Sequence, residues 1–311
     1  MTLQEYLNSF IKRYDDEHLV HYLNKSYFNN LHEEKKSFIS SKGNKIMTFI
    51  NYYDNYDPTK LIVFVHGLGG GHLSYFREIE YFCKKGYLVL SYDMTGCFES
   101  SGISILGLSQ AICDLDDVLN FIKLEDFFKN KEVICIGHSM GGFAVNNIHI
   151  LHKEVKKIVV ISGITTINNF IKNYELNDQK DILKYEKDVN LKYALLNPIN
   201  GYNDENLHAL IIHSKDDNMV NFNDNAMYLY NNIKNKNVTF YFVDGKLHNP
   251  NYQKDSIQYM NDSFNKYFAL LKEGKLKTYK EKKDYFDKLD FMYMTCQDEE
   301  IMNKIVNFIV K

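Results

Sequence analysis

The chain has 311 residues, of which 45% are hydrophobic, and a formal net charge of −3. This length and composition are typical of one large globular domain or two small ones. The small net charge gives no reason to expect nucleic acid or an acidic membrane surface as a partner.

The five cysteines fit neither the spacing of a zinc site nor a disulfide framework. They are typical of a protein in a reducing cytosol. The polar start of the chain, residues 1–6, does not have the pattern of a secretory signal. No apolar run approaches the length of a membrane span. We therefore expect a cytoplasmic protein without stable membrane insertion.

The N-terminal region is predicted to hold an amphipathic helix. Apolar side chains recur every three to four residues between Leu3 and Tyr14, as on one face of a helix. We expect this helix to cover a sheet edge or to shape the entrance of a site. Residues 38–50 follow as two strands around a Lys-Gly-Asn turn.

The first buried strand, residues 61–65, runs into a glycine-rich loop that begins at His66. This loop lacks the Gly-Lys-Ser/Thr ending of a phosphate-binding loop, and its glycines do not fit the dinucleotide fingerprint. We interpret it as half of an oxyanion hole, with the N–H of Leu68 as donor and with Gly67 and Gly69 against the substrate. His66 is expected to hold the loop by hydrogen bonds, and its alternative role is a catalytic base.

A helix over 72–85 and a strand over 87–93 come next. Asp93, at the end of that strand, is either a catalytic acid or a brace for the following loop. We favour the brace because Asp93 precedes the predicted nucleophile in the chain. Ser109 is a candidate N-cap for a helix over 110–123.

The centre of the sequence is a strand, a sharp turn and a helix, with Ser139 at the turn. Gly137 and Gly141 stand two residues before and after it, where a Cβ would clash with the turn. Such an elbow holds the serine in a strained conformation that exposes its hydroxyl as a nucleophile. Met140 opens the helix, so its N–H is a second oxyanion donor. The alternative is a Gly-Ser turn that only joins two elements.

The second half of the chain continues to alternate apolar strands with amphipathic helices. The predicted elements are strands at 157–163, 207–213 and 238–243, and helices at 222–235 and 253–272. This alternation predicts a mostly parallel sheet with helices on both faces. Residues 164–206 break the alternation and are predicted to be a helical lid over the carboxyl ends of the strands. Tyrosines and phenylalanines in this insertion suggest that it covers an apolar chain.

A serine nucleophile needs a base within hydrogen-bond reach and a carboxylate that orients the base. Two later strands end in loops that carry these groups. The adjacent Asp216 and Asp217 follow one strand, and His248 follows the last strand. Because the carboxyl ends of parallel strands meet at one sheet edge, these groups can converge on Ser139. The chain order is then Ser, Asp, His.

Together these motifs resemble those of the α/β-hydrolase superfamily. The matching segments are His66-Gly67, Gly137-His138-Ser139-Met140-Gly141-Gly142, Ser214-Lys215-Asp216-Asp217-x-x-Val220 and Gly245-x-x-His248. The resemblance implies an eight-stranded, mostly parallel sheet flanked by helices. It also implies that Ser139 is the nucleophile, Asp217 the acid and His248 the base, with Leu68 and Met140 as oxyanion donors.

Two details of the site stay open at this stage. One loop resembles the family's Asp-x-x-Gly-x-Gly-x-Ser loop but lacks the glycine expected near Phe98. Only one of the two adjacent aspartates can point at the base, and the spacing to Val220 favours Asp217 over Asp216. His213 is expected to brace or pack its loop.

The resemblance covers about residues 37–270. We therefore divide the chain into an N-terminal helical extension (1–36), a hydrolase core (37–272) with the lid insertion, and a helical tail (273–311). The tail is expected to dock on the body or to make a dimer contact, so both a monomer and a homodimer are open.

The predicted function is hydrolysis of a small-molecule carboxylic ester or thioester, of the esterase, lipase or thioesterase kind, through an acyl-enzyme on Ser139. Gly67, Gly69 and His138 are expected to bind the substrate, and no metal or cofactor is required. A serine peptidase or amidase with the same triad is one alternative, and a non-catalytic binding protein of the same fold is another. The serine argues against epoxide and haloalkane hydrolases, which resemble one another in using an aspartate at the elbow.

Overall fold

The computed structural model describes residues 2–15, 19–20 and 22–311. The strands of this part are β1 (His32–Ile39), β2 (Lys45–Tyr52), β3 (Lys60–Val65), β4 (Leu88–Tyr92), β5 (Glu132–His138), β6 (Lys157–Ile161), β7 (His208–Ser214) and β8 (Val238–Val243). They form one sheet in the order β1-β2-β4-β3-β5-β6-β7-β8. β2 is antiparallel to β1 and β4, and the other neighbours are parallel. The predicted eight-stranded, mostly parallel sheet is confirmed.

Helices cover both faces of the sheet. They are α1 (Leu3–Phe10), α2 (Phe76–Lys84), α3 (Gln110–Leu124), α4 (Met140–Ile148), α5 (Ile167–Ile171), α6 (Leu176–Ala194), α7 (Ile199–Tyr202), α8 (Ala226–Asn232), α9 (Lys254–Lys272), α10 (Tyr279–Phe286), α11 (Phe291–Met294) and α12 (Glu299–Val310). Successive residues of β3 point to opposite faces of the sheet. Leu61 and Val63 pack with α3 and α4 on one face, whereas Ile62 and Phe64 pack with α2 and α12 on the other. Each helix of the described residues is too short or too polar to cross a membrane.

The N-terminal region differs from the predicted helical extension. α1 ends at Phe10, and β1 begins at His32, so the predicted boundary at residue 36 falls inside a strand. Charged residues hide this strand in the sequence because it lies at an exposed sheet edge, where charges are favoured. The parts of the predicted extension at residues 1, 16–18 and 21 lie outside the described residues.

The insertion between β6 and β7 contains α5, α6 and α7, and a buried carboxylate holds it to the core. Glu186 of α6 accepts hydrogen bonds from the N–H groups of Leu108 (2.6 Å) and Ser109 (3.0 Å) and from the hydroxyls of Tyr6 and Ser109. Ser109 occupies the predicted N-cap position of α3. Its side chain makes no cap hydrogen bond, because it donates to Glu186, whose negative charge lies at the start of the helix.

Helix α8 is shorter than the predicted helix over 222–235, because asparagines organise turns before it. The Asn221 side chain accepts the N–H of Asp224 (3.0 Å), and the Asn225 side chain donates to the Asn221 carbonyl (2.9 Å). The tail packs on the body of the protein through α12. Ile301 and Ile305 of this helix are buried in the same apolar cluster as β3 and α2.

Candidate active site

Ser139 lies between β5 and α4 with φ 56° and ψ −117°, in the left-handed half of backbone space. Such a conformation costs about 1–3 kcal/mol and persists only where the surroundings fix it. A Cβ on Gly137 would lie 2.4 Å from the Gly141 carbonyl oxygen, and a Cβ on Gly141 would lie 2.1 Å from that of Val65. The Ser139 N–H donates to the Ile161 carbonyl (3.0 Å). The strained elbow that the sequence predicts is therefore present.

The loop after β3 runs beside the elbow. A Cβ on Gly67 would lie 3.3 Å from the Ser139 Cβ. The His66 ring donates from Nδ1 to the Gly67 carbonyl (2.7 Å) and accepts the Met94 N–H at Nε2 (2.9 Å), as expected of a bracing residue. Burial lowers the His66 pKa, which keeps the ring neutral. With both ring nitrogens occupied, His66 is not available as a base.

The two predicted oxyanion donors are Met140, in the elbow, and Leu68, in the loop after β3. Met140 is the first residue of α4, so its N–H has no carbonyl partner within the helix. Leu68 directly follows Gly67, the residue that packs against Ser139. Gly69 is covered by the ring of Tyr14, because a Cβ at Gly69 would lie 2.5 Å from the Tyr14 Cε1.

Asp217 and His248 form a buried pair. The His248 Nδ1 lies 3.0 Å from Oδ1 and 2.9 Å from Oδ2 of Asp217. Because an ionised carboxylate only accepts hydrogen bonds, the Nδ1 of His248 carries the proton and the Nε2 holds the free electron pair. The residue pair predicted for acid and base is therefore brought together, with the tautomer that a general base needs.

The remaining contacts of Asp217 fix its carboxylate in place. Oδ1 accepts the N–H groups of Met219 (2.9 Å) and Val220 (2.8 Å), and His213 Nε2 lies 3.2 Å from Oδ2. Burial alone would raise the pKa of Asp217, but the hydrogen bonds from His213 and His248 outweigh it and hold the pKa well below its ordinary value. His213 thus braces the acid loop, as expected.

Asp216 points to a different partner. Its carboxylate accepts the hydroxyl of Ser214 and the N–H groups of Gly245 (3.0 Å) and Lys246 (3.3 Å). These contacts tie the β7 loop to the loop that carries His248. The two adjacent aspartates therefore have different contacts. Asp217 contacts the imidazole of His248, and Asp216 contacts backbone N–H groups.

His138 joins the elbow to the loop of His248. Its Nε2 donates to the His248 carbonyl (2.8 Å), so its Nδ1 accepts a hydrogen bond from the Tyr75 hydroxyl (2.9 Å). The same hydroxyl contacts Gly67, where a Cβ would lie 2.4 Å away. Tyr75 was missed by the sequence analysis, because one aromatic residue at the start of a helix gives no signal. Tyr75 thus links the loop after β3, the elbow and, through His138, the loop of His248.

The buried His138 makes the stability of the protein depend on pH. Burial, and then the nearby His248, lower the pKa of His138 to about 3. In the unfolded chain a histidine takes up a proton near pH 6.5. The stabilisation by neutral His138 is therefore complete above about pH 6.5 and is lost as the pH falls toward the folded value. Chemical unfolding of the wild type and of His138→Gln measures this effect. Between pH 7 and pH 5, we expect the free energy of unfolding to fall by about 2 kcal/mol less in the variant than in the wild type. Equal pH slopes would contradict the buried neutral state.

The N-terminal segment crosses the loop after β4. The Arg13 guanidinium donates to the carbonyl oxygens of Phe98 (2.6 Å), Ser100 (2.8 Å) and Gly102 (3.0 Å). The Tyr14 carbonyl accepts the Phe98 N–H (2.9 Å). Phe98, at the position where the resemblance led us to expect a glycine, has φ 38°, so a bulky residue occupies a left-handed conformation that favours glycine. These contacts compensate for the missing glycine.

Asp93 acts as the predicted brace. It accepts the backbone N–H and the ring Nδ1 of His72, both at 2.8 Å, and the N–H of Glu99 (3.1 Å). Burial alone would raise the pKa of Asp93, but the contacts with His72 and the nearby His66 lower it. The carboxylate thereby ties the oxyanion loop to the loop after β4.

The C-terminal tail holds the loop of His248. The Lys246 ammonium donates to the Tyr252 carbonyl (2.5 Å) and pairs with Asp298 (2.6 Å). The Asp298 N–H donates to the Asn251 carbonyl (2.7 Å), and the Asn251 side chain donates to Glu78 (2.9 Å). Two tail-derived contacts thus flank the base, one before it and one after it.

In the part of the chain that the structure describes, no group of three or more histidine, cysteine, aspartate or glutamate side chains is arranged to hold a metal ion. The five cysteines all lie within the described residues and form no disulfide, and four of them are buried.

Comparison with known proteins agrees with this architecture. A family model described as alpha/beta hydrolase fold matches residues 60–190. These residues contain β3, the loop after it and the elbow. With the eight-stranded sheet described above, this match shows that the chain has the α/β-hydrolase fold, and it supports an assignment to the α/β-hydrolase superfamily.

Solved structures share the fold at low sequence identity. An esterase of Pyrococcus furiosus is 19% identical, with a TM-score of 0.56, over 82% of this chain and 93% of that chain. Est1E of Butyrivibrio proteoclasticus, solved with ferulic acid, is 17% identical, with a TM-score of 0.56, over 74% of this chain and 97% of that chain. A putative dipeptidyl aminopeptidase IV of Bacteroides ovatus is 18% identical, with a TM-score of 0.57, over 79% of this chain and 37% of that chain. No sequence among curated proteins matches the chain.

Proposed function

We propose that the protein is a serine hydrolase that cleaves carboxylic esters through an acyl-enzyme on Ser139. The observation that carries this proposal is the buried Asp217–His248 pair beside a serine elbow. His138, the neighbour of Ser139, lies 2.8 Å from the His248 carbonyl oxygen. The fold of esterases such as that of Pyrococcus furiosus supports the same reaction class.

The chemistry follows from the tautomer of His248. Its Nε2 takes the proton of the Ser139 hydroxyl while the oxygen attacks the acyl carbon. The N–H groups of Leu68 and Met140 stabilise the negative oxygen that forms. The C–O bond to the alcohol then breaks, and His248 returns the proton to the leaving oxygen. A water molecule, deprotonated by His248, attacks the acyl-enzyme and releases the carboxylic acid and free Ser139.

The other residues predicted to bind substrate receive revised roles in this proposal. His138 is a positioning residue, because its two ring nitrogens bond to His248 and Tyr75. Gly67 permits the close approach of the oxyanion loop to Ser139. Gly69 serves the same loop by making room for Tyr14.

The proposal extends to the insertion and to the cellular location of the protein. We propose that α5, α6 and α7 form the lid over the site, anchored through the buried Glu186. Cysteines that form no disulfide fit a reducing compartment, and we propose that the protein acts in the cytoplasm on a small molecule.

Steady-state kinetics with paired substrates test the proposed function. We expect p-nitrophenyl butyrate to be hydrolysed with a much higher kcat/KM than an aminoacyl p-nitroanilide. The reverse preference would replace the esterase with a serine peptidase. No turnover of either substrate, with the protein folded, would favour a non-catalytic binding protein.

A further inference from the structure

A pocket of about 260 Å³ borders the loop after β3, and we refer to it as the pocket behind the oxyanion loop; no residue of the insertion is among its lining residues. Its walls include Leu68, the proposed oxyanion donor, and Asn249, the residue after His248. Tyr75, which bonds to His138, also lines it. Three of the residues that line the pocket therefore belong to, or contact, the segments that carry the proposed reacting groups.

Much of the remaining lining is apolar, and part of it comes from outside the predicted hydrolase core. The N-terminal segment contributes Leu23, and the tail contributes Phe291 and Met294. Met260 and Phe264 of α9 complete this wall. Leu23, Phe291 and Met294 are each less than a tenth exposed. An apolar group bound there would be removed from water.

The charged lining residue is Arg77. Its guanidinium lies 3.9 Å from the Glu80 carboxylate and over the ring of Phe28. Its charge is thus balanced by a neighbouring acid, and an uncharged ligand can occupy the pocket.

The pocket beside the insertion has the opposite character. It has a volume of about 370 Å³ and touches Asp217. Five asparagines line it, together with three larger side chains: Asn169, Asn173, Asn218, Asn221 and Asn225, with Phe170, Tyr174 and Met219. Burying an alkyl chain against these amides would remove their hydrogen-bonding partners. The lining of the pocket beside the insertion therefore does not favour the binding of an apolar chain there, although the sequence had led us to expect one.

We propose that the pocket behind the oxyanion loop binds the acyl chain of the ester and that the tail sets the chain length. This rests on the proposed esterase function. At ~30 Å³ for each water-sized group, the pocket holds roughly eight such groups. The expected substrates are esters of unbranched acids up to about octanoate. The Lys246–Asp298 ion pair fixes the tail against the loop of His248, so the pocket wall and the base keep a constant distance.

Substitution of Met260 tests the proposal, since this partly exposed residue can change size without opening the core. We expect Met260→Trp to lower kcat/KM for p-nitrophenyl octanoate by at least about tenfold, and to leave the acetate ester nearly unchanged. Met260→Ala should shift the preferred ester toward longer chains. Asn173→Trp fills the pocket beside the insertion and is the matched control, with an unchanged acyl-chain profile.

The chain-length profiles of these variants show which pocket binds the acyl chain. If both Met260 variants hydrolyse esters with the wild-type chain-length profile, the acyl chain does not bind behind the oxyanion loop. A changed profile in Asn173→Trp alone would place the chain beside the insertion. Absence of ester hydrolysis by the wild-type protein would overturn the proposed function and this inference together.

Discussion

The Ser139→Ala variant is expected to lose roughly 10⁶-fold in kcat for p-nitrophenyl butyrate, as removal of a triad serine does elsewhere. The loss arises because no other group at the elbow can form the acyl-enzyme. The alanine keeps the Cβ that packs against Gly67, so we expect the melting temperature to stay close to that of the wild type. Initial rates measured with a purified, folded variant provide the test.

A second serine supplies the control for this experiment. Ser162 follows β6 with φ 46°, and in the described part of the chain its buried hydroxyl has no hydrogen-bond partner. Ser162→Ala changes the same chemical group in the same kind of backbone conformation. It should retain activity near the wild-type level. Equal losses in the two variants would show that the effect is structural and would contradict the role of Ser139.

The Asp217→Asn variant is expected to lose about 10⁴-fold in kcat while the protein stays folded. An amide NH₂ facing the imidazole would force the His248 proton from Nδ1 to Nε2, and the ring could then no longer accept the Ser139 proton. The two hydrogen bonds from the N–H groups of Met219 and Val220 can be kept by the amide oxygen. The measurement is kcat for the same ester, with far-ultraviolet circular dichroism as the folding check.

Asp216→Asn is the matched control, because it makes the same change one residue earlier. An amide oxygen at this position can still accept the N–H groups of Gly245 and Lys246. Replacing a charged acceptor by a neutral one weakens these bonds by about 1 kcal/mol, which affects stability more than turnover. A larger loss of kcat in Asp216→Asn than in Asp217→Asn would reverse the assignment of the acid.

The elbow and the contact between Asp217 and His248 were predictable because they depend on local sterics and chain topology. The clash of a Cβ at Gly137 or Gly141 is decided within a few residues of the turn. Parallel strands place all their carboxyl ends at one edge, so Asp217 and His248 meet although they are 31 positions apart in the chain. The spacing to Val220 also selected the aspartate that contacts the imidazole.

The contacts that hold the site together were not predictable, since they join residues far apart in the chain. The hydroxyl of Tyr75 meets His138 across 63 positions, and Arg13 meets the carbonyl of Phe98 across 85. Neither pair belongs to a short motif. Ser109 shows the same limit. Its local pattern favours a cap, but Glu186, from the insertion, takes its hydroxyl and N–H instead.

The tail illustrates how a segment outside the shared core acts on the site. No local pattern in the sequence pairs Asp298 of the tail with Lys246, and only the fold brings them together, two positions before His248. The tail thus fixes the loop of His248.

Covalent labelling tests the central claim, that Ser139 is an activated nucleophile, most directly. The folded protein is incubated with a fluorophosphonate, digested and analysed by mass spectrometry. We predict a single adduct on the peptide that contains Ser139, with labelling lost in Ser139→Ala and strongly slowed in Asp217→Asn. An adduct at another residue, or labelling that persists in Ser139→Ala, would contradict the assignment.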